Sequence, residues 1–425
     1  MTSKTPNNKA VTFSSVPLWE DPAAVLQSGR LGLLCNHVAW HMETDEYLFE
    51  TLYKRGVLKR VFTPEHGLFG ELQDQVKLDD AGPYKDLGFK NCEFVSLYGS
   101  QESSLVADPK KLIDLDTLVI ELQDVGVRYY TFLSTLRNLF KTLKKENIPL
   151  PVWVVDRENP AGPWVEGSPL KPEYESFIGI EGIPHRHGLT IGEMAGYFHA
   201  EIEADFPLYI VSWKAGLRCF PWTIAPSPGF PGFFTAAFYS GQCLWEGTNV
   251  SEGRGTTRPF EVFGAPWMEE SLTGYNQKAG YESWNDPRHP LYDSNAALRW
   301  HRFIPIYGKY KNECCFGFQL ILRNPNAGYH ALLHALRIIR FIRENCEGFS
   351  FRPGKYEAGN DKTAIELLAG DPLILDYIKR EETEETELRK YFRKNEVEWI
   401  EKTRQYRLYE EPLKATALTF HSNNK

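Results

Sequence analysis

One pattern recurs along the first half of the chain: an apolar run stops abruptly at polar residues, and a stretch with helical spacing follows. Arg30–Cys35 (RLGLLC) runs into Asn36, and Arg60–Thr63 runs into Pro64-Glu65-His66-Gly67. Leu118–Ile120 runs into Glu121-Leu122-Gln123-Asp124, and Pro151–Val155 (PVWVV) into Asp156-Arg157-Glu158-Asn159-Pro160. Glu93–Leu97 and Leu208–Trp213 read as further strands. The runs are continuous rather than alternating, as in strands covered on both faces, so they predict an α/β fold with a parallel sheet and helices on each side. Glu43–Arg55, closed by Gly56, and Tyr130–Glu146 carry helical spacing. Thr190-Ile-Gly-Glu193 is a capping box that opens a helix reaching to Ile202.

Residues 221–267 change character. PSPGFPG (Pro226–Gly232) and SEGRGTTRPF (Ser251–Phe260) do not support long regular elements, so the segment reads as an ordered functional loop between domains or as a linker. Beyond it, Phe316–Leu322 reads as a strand and Tyr329–Arg343 as a helix, while the acidic run Glu381–Glu387 reads as a surface feature. At 425 residues the chain exceeds the roughly 250–300 residues at which single cores stop growing. Two domains are therefore expected, 1–220 and 221–425.

Composition narrows the function more by exclusion than by indication. The net charge is −8 and no basic cluster is present, which argues against a nucleic-acid partner. Eleven Trp and 21 Tyr suit sugar stacking, and they suit a large α/β core better. Seven scattered cysteines without CxxC or zinc spacing suit free thiols in a reducing compartment. The opening MTSKTPNNKAVTF has no apolar leader segment, and no run is long enough to span a membrane. A cytoplasmic monomer is expected, or a periplasmic one if a leader precedes this sequence. Neither GxGxxG nor GxxxxGK[ST] occurs, and GxSxG is absent too, so no cofactor and no serine nucleophile are expected. His37 and His41, like His185 and His187, lack an HExxH frame and read as structural; no metal is expected.

What remains is the sheet edge. Ligands of open parallel sheets bind beyond the carboxyl ends of the strands, and four strands here end in Asn36, Glu65-His66, Glu121 with Asp124, and Asp156 with Asn159. Together with Glu246 these supply the two carboxyl groups that glycoside hydrolysis requires, one to protonate the leaving oxygen and one to act as nucleophile, base or electrostatic partner. Glu65 lies in a turn sharpened by Pro64 and Gly67, suited to a rigidly held acid; its alternative reading is a helix N-cap anchor.

Six blocks carry a family resemblance: PEHG, ELQDVGVRYYTF, VVDRENPAG, HRHGLTIGE, PSPGFPG and WEGTNVSEGRGTTRPFEVFGAPW, spread over Gly32–Trp267. In order and spacing they resemble the bacterial exo-β-N-acetylmuramidases, long catalogued as a domain of unknown function. The resemblance implies a Rossmann-like N-terminal domain, a smaller C-terminal α/β (α+β) domain whose Gly-rich loop reaches the cleft between them, and release of terminal N-acetylmuramic acid from the non-reducing end of peptidoglycan fragments. It implies Glu65 as the catalytic acid. Asp124, Arg128 and Tyr130 match one conserved segment of the family, Asp156 and Asn159 another, His187 a third, and Glu246, Asn249 and Arg254 the Gly-rich loop. Asn36 and His66 complete the expected binding set. Two positions depart from the family pattern: Phe69 stands where an arginine is usual, and Glu121 where an aspartate is usual.

N-acetylmuramic acid carries a lactyl carboxylate, so its pocket needs a fixed cation, and Arg128 and Arg254 are the candidates. Either has the alternative of pairing with an internal carboxylate. Tyr130 and Trp245 offer sugar-stacking faces, with a core role the stronger reading for Tyr130. Gly253 and Gly255 would let the backbone approach a ligand. For the second catalytic group Asp124, Asp156 and Glu246 all qualify, as does the substrate's own acetamide oxygen.

Overall fold

Each of the four apolar runs forms a strand, and the four lie side by side. In the computed structural model, residues 11–14, 29–73, 76–78, 82–99, 102–212, 224–324, 328–357, 360–379 and 382–416 are described. The expected roles of Trp213, residues 221–223 and Glu381 fall outside them. The strands are β1 (Val11–Ser14), β2 (Leu31–Cys35), the short pair β3 (Trp40–His41) and β4 (Glu46–Tyr47), β5 (Leu58–Thr63), β6 (Glu93–Ser96), β7 (Thr117–Glu121) and β8 (Val152–Asp156). They continue as β9 (Trp164–Pro169), β10 (Pro184–Arg186), β11 (Leu208–Ser212), β12 (Val262–Ala265), β13 (Ala296–Phe303), β14 (Cys315–Leu322) and β15 (Lys414–Ala415).

A seven-stranded, all-parallel sheet runs β1-β11-β8-β7-β2-β5-β6. Counted from β2, this is the 3-2-1-4-5-6 order of dinucleotide-binding folds with β1 added at the far edge. Residues of β2 and β7 are buried throughout, and alternate positions serve opposite faces. Leu31, Leu33 and Cys35 of β2 pack with Leu48, Phe49 and Leu52 of helix α1 (Leu48–Lys54). Leu34 joins Leu118 and Ile120 on the other face, against Leu136, Leu139 and Phe140 of α2 (Phe132–Lys145). The capping box at Thr190 forms as read: Thr190 N donates to Glu193 Oε2 at 3.0 Å, opening α3 (Ile191–Glu201).

A second, smaller unit holds the antiparallel sheet β12-β14-β13 with helices α4 (Phe233–Gln242), α5 (Ala331–Asn345), α6 (Ala364–Ala369), α7 (Pro372–Lys379) and α8 (Glu385–Lys402). Its core is continuous with that of the large sheet, since Trp245, Phe318, Ile338 and Trp399 belong to the same buried cluster as Leu136. The end of the chain returns to the first half. β15 pairs in parallel with β9, Trp399 Nε1 donates to the His187 carbonyl at 2.9 Å, and Tyr409 OH donates to Asp156 Oδ2 at 2.7 Å.

Two expected elements differ. The helix read over Glu43–Arg55 forms only from Leu48. Asp45 takes a left-handed φ of 55°, Glu46 and Tyr47 extend as β4, and Glu50 caps the Tyr47 N–H at 2.8 Å. The segment read as loop over 221–267 contains the ten-residue helix α4, whose Ala236, Phe238 and Tyr239 pack into the core.

Candidate active site

The four polar strand ends do converge, at the carboxyl ends of the adjacent strands β8, β7, β2 and β5. Most of these side chains bind protein. Asn36 is fully buried; its Nδ2 donates to the Pro226 carbonyl at 3.2 Å. His37 Nε2 donates to Ala225 O at 2.7 Å. Together they pin the Pro-rich segment to the end of β2. Glu121 accepts from Arg157 Nη2 at 2.5 Å, and the same nitrogen reaches Val38 O at 2.7 Å; burial raises the Glu121 pKa against that partner. The Asp in place of Glu121 usual in the family would not span this pair without a shift.

Asp124 Oδ2 accepts from Gly126 N at 2.7 Å and faces His187 Nε2 at 3.2 Å, while His187 Nδ1 accepts from Leu189 N. Asn159 bridges Leu189 O and Ala161 N. Asp156 anchors the start of α3, accepting from Gly192 N at 2.6 Å, Thr190 Oγ1 at 2.8 Å and Tyr409 OH. Burial and the neighbouring Glu193 carboxyl push its pKa up to about 7 against those donors. Arg128 is 1% exposed. Its guanidinium donates to the carbonyls of Ser168, Ile183, Leu368 and Ala369 at 2.9–3.2 Å and meets His185 Nε2 at 2.9 Å. Burial lowers its pKa to about 10. Its partners at Leu368 and Ala369 are the last carbonyls of α6, where a cation opposes the helix dipole.

Above this belt lies a cavity of about 240 Å³, lined among others by Glu65, His66, Tyr130, Glu246 and Arg254. Of the twelve candidate residues these five meet there, and Asn36, Asp124, Arg128, Asp156, Asn159 and His187 do not line it. Asn249 lines an adjoining groove of about 590 Å³ that shares Glu246 and Arg254 as its wall.

Glu65 stands in the turn after β5. His66 and Gly67 both take left-handed backbone, with φ of 73° and 83°. A Cβ at Gly67 would sit 2.7 Å from the Glu71 carboxylate and 2.8 Å from Tyr84 OH, so the turn needs glycine there. His66 Nδ1 donates to Leu72 O at 2.9 Å, and Leu68 N donates to Tyr84 OH at 2.8 Å. No helix begins at Glu65; its Oε2 accepts instead from Thr131 Oγ1 at 2.7 Å, the N-cap residue of α2. Glu246 comes from a tight turn after α4. Its Oε1 accepts from Arg254 Nη2 at 2.9 Å and its Oε2 from Tyr356 OH at 2.6 Å. Arg254 also stacks its guanidinium 4.8 Å from the Phe260 ring centroid.

Several wall residues were not foreseen: Lys77, Tyr98, Phe177, Tyr356 and Glu357. None belongs to a recognisable motif, and each reaches the cavity through tertiary folding alone. Both Glu357 oxygens accept backbone N–H groups, from Phe177 at 3.2 Å and Ile178 at 3.1 Å, and burial raises its pKa. Phe69 lies outside the cavity, in an aromatic cluster with Tyr47, Phe49 and Tyr84. Trp245 stacks on Phe263 in the core. Gly253 and Gly255 admit the close approach of Val262 and of the Tyr307 backbone.

The family described as "Exo-beta-N-acetylmuramidase NamZ, N-terminal" matches residues 31–233, and its C-terminal counterpart matches residues 237–409. The peptidoglycan β-N-acetylmuramidase NamZ of Bacillus subtilis (strain 168) is 32% identical over 328 residues, 75% of this chain and 74% of that protein. Two solved DUF1343 family proteins of Bacteroides fragilis NCTC 9343 share the fold. One superposes with a TM-score of 0.71 at 22% identity, covering 92% of this chain and 97% of its own. The other has a TM-score of 0.66 at 23% identity, covering 92% and 96%.

Proposed function

The chain belongs to the exo-β-N-acetylmuramidase NamZ family, and on that premise we propose that it is an exo-acting glycoside hydrolase releasing terminal N-acetylmuramic acid from the non-reducing end of peptidoglycan fragments. The observation that carries the reading is that Glu65 and Glu246, 181 positions apart in the sequence, wall one cavity sized for a single substituted sugar. Glu65 acts as the general acid. Its proton passes to the glycosidic oxygen as the C1–O bond breaks, and water supplies the hydroxyl that ends on C1 while its other proton is taken up by the carboxylate pair. Glu246 is the second carboxylate, held ready by Arg254 and Tyr356. Asp124 and Asp156 serve the wall from behind.

The cavity is assembled by elements on both sides of residue 220, which supports a cleft between a domain over 1–220 and one over 221–425. Among the described residues one chain supplies both carboxylates and the residues that hold them, which supports action as a monomer. No helix of the described residues is long and apolar enough to cross a membrane. The six described cysteines are unpaired, which supports a reducing compartment, and we place the enzyme in the cytoplasm.

The test is turnover of a chromogenic β-N-acetylmuramide. Glu65→Gln should lower kcat by about 10²–10⁴-fold with an unchanged melting temperature. Wild-type turnover retained in that variant, or no turnover in the wild type, overturns the assignment.

A further inference from the structure

A muramic acid sugar brings a carboxylate into a cavity already walled by Glu65, Glu246 and Glu357. Such a site discriminates for the anion only if a cation is available to it. Both arginines first considered are committed elsewhere. Arg128 is buried behind the wall among backbone carbonyls. Arg254 is bound through Nε and Nη2 to Glu246 and lies 3.9 Å from Glu252.

Lys77 lines the same cavity, and among the described residues no carboxylate forms an ion pair with it. Its ammonium is nonetheless held in place. Nζ lies 3.6 Å from the Tyr98 ring centroid, a cation–π contact. The backbone beside it is tied to the same residue, since Leu78 N donates to Tyr98 O at 3.1 Å. Tyr98 in turn packs on Phe177 at 5.7 Å, whose N–H holds Glu357. Burial lowers the Lys77 pKa, while Glu65 and Glu357 act to raise it. The ammonium thus stays open to solvent at the cavity rim, is oriented by an aromatic face, and is close enough to the proposed acid to feel its charge.

We propose that Lys77 is the specificity-determining residue for the lactyl carboxylate, seating that anion against its ammonium on the Tyr98 face and so distinguishing N-acetylmuramic acid from N-acetylglucosamine. This rests on the hydrolase reading for its substrate. A merely electrostatic role toward Glu65 would instead act on every substrate alike, through the pH profile.

The experiment compares wild type, Lys77→Met and Lys77→Arg on chromogenic glycosides of N-acetylmuramic acid and N-acetylglucosamine, and measures binding of both free sugars by calorimetry. Lys77→Met should lose about tenfold to a hundredfold in kcat/KM on the muramide, carried mainly by KM, with little change on the glucosaminide; Lys77→Arg should keep the preference. Independently of any variant, wild-type enzyme should lose a similar factor on the lactyl methyl ester of the muramide. Equal losses on both glycosides, a shifted pH profile on both, or an ester as good as the free acid overturns the assignment. If wild type hydrolyses neither glycoside but binds free N-acetylmuramic acid over N-acetylglucosamine only while Lys77 is present, the hydrolase reading falls and Lys77 stands. If the muramide is hydrolysed and Lys77→Met discriminates as well as wild type, the hydrolase stands and Lys77 falls.

Discussion

Two belts of polar side chains meet at the same sheet edge and behave differently. The inner belt, which includes Asn36, Glu121, Asp124, Asp156 and Asn159, sits directly on the strand ends, and its hydrogen bonds go to backbone groups or to other side chains of the protein. The outer wall draws Glu65, Lys77, Glu246, Tyr356 and Glu357 from turns far apart in the sequence, and these face a cavity. The inner belt has the more eye-catching sequence, yet none of these strand-end residues lines the cavity, and under the proposed function it works as scaffold. It fixes the loops that carry the outer wall: Asn36 and His37 hold the segment that presents Ser227 and Phe230 to the cavity. Buried polar groups seek partners, and each of these strand-end side chains finds at least one beside the sheet, although Glu121 Oε2 and Asp124 Oδ1 are left without one.

Paired substitutions on the two belts test this division. The widest gap is expected between Glu65→Gln, with its loss of about 10²–10⁴-fold in kcat, and Asp124→Asn, which should leave kcat within about threefold and lower stability by about 1–3 kcal/mol. A kcat for Asp124→Asn as low as that of Glu65→Gln, at equal folded fraction, would move Asp124 into the chemistry. Arg128→Met strips a partner from four carbonyls and His185, and should lower unfolding free energy in denaturant by about 3–5 kcal/mol. Its preference for muramide over glucosaminide should be unchanged, and a lost preference would return Arg128 to the substrate.

Asp156 gives a pH signature. Its folded-state pKa, pushed up to about 7, lies above the ordinary value of about 3.9. The folded state therefore holds more protons between those values, and stability falls as pH rises through that window. Relative to Asp156→Asn, wild type should lose on the order of 2 kcal/mol between pH 5 and 8. Parallel stability curves for the two proteins would remove Asp156 as the cause. The smallest effect belongs to Tyr356→Phe, which deletes one hydrogen bond to Glu246 and should reduce kcat/KM by about fivefold to tenfold; an unchanged value would mean that Arg254 alone orients Glu246.

The sheet was legible because its strands are short, continuous and apolar, a pattern that burial on both faces imposes locally. The Thr190 capping box was legible for the same reason: its two hydrogen bonds close within three residues. The helix over Glu43–Arg55 was overread because spacing carries no warning of the left-handed turn at Asp45. The helix Phe233–Gln242 was hidden between the Pro-rich and Gly-rich stretches that flank it. For the site, Glu65 and Glu246 were visible within long family-matching blocks, whereas Lys77 and Glu357 stand alone in ordinary sequence. Their significance is their meeting with Glu65 and Glu246 around one cavity, which no spacing along the chain records.

The return of the chain's end to the first half has a consequence for biosynthesis. The Asp156 carboxylate receives one of its three donors from Tyr409, and Glu193 accepts from Leu408 N at 2.8 Å. Neither partner exists while the ribosome is still translating the helices before it. The parallel sheet can assemble early, but the carboxylates at the base of α3 find their last donors only near the end of synthesis, so a message truncated shortly before codon 408 should yield a protein with an open seam at that helix.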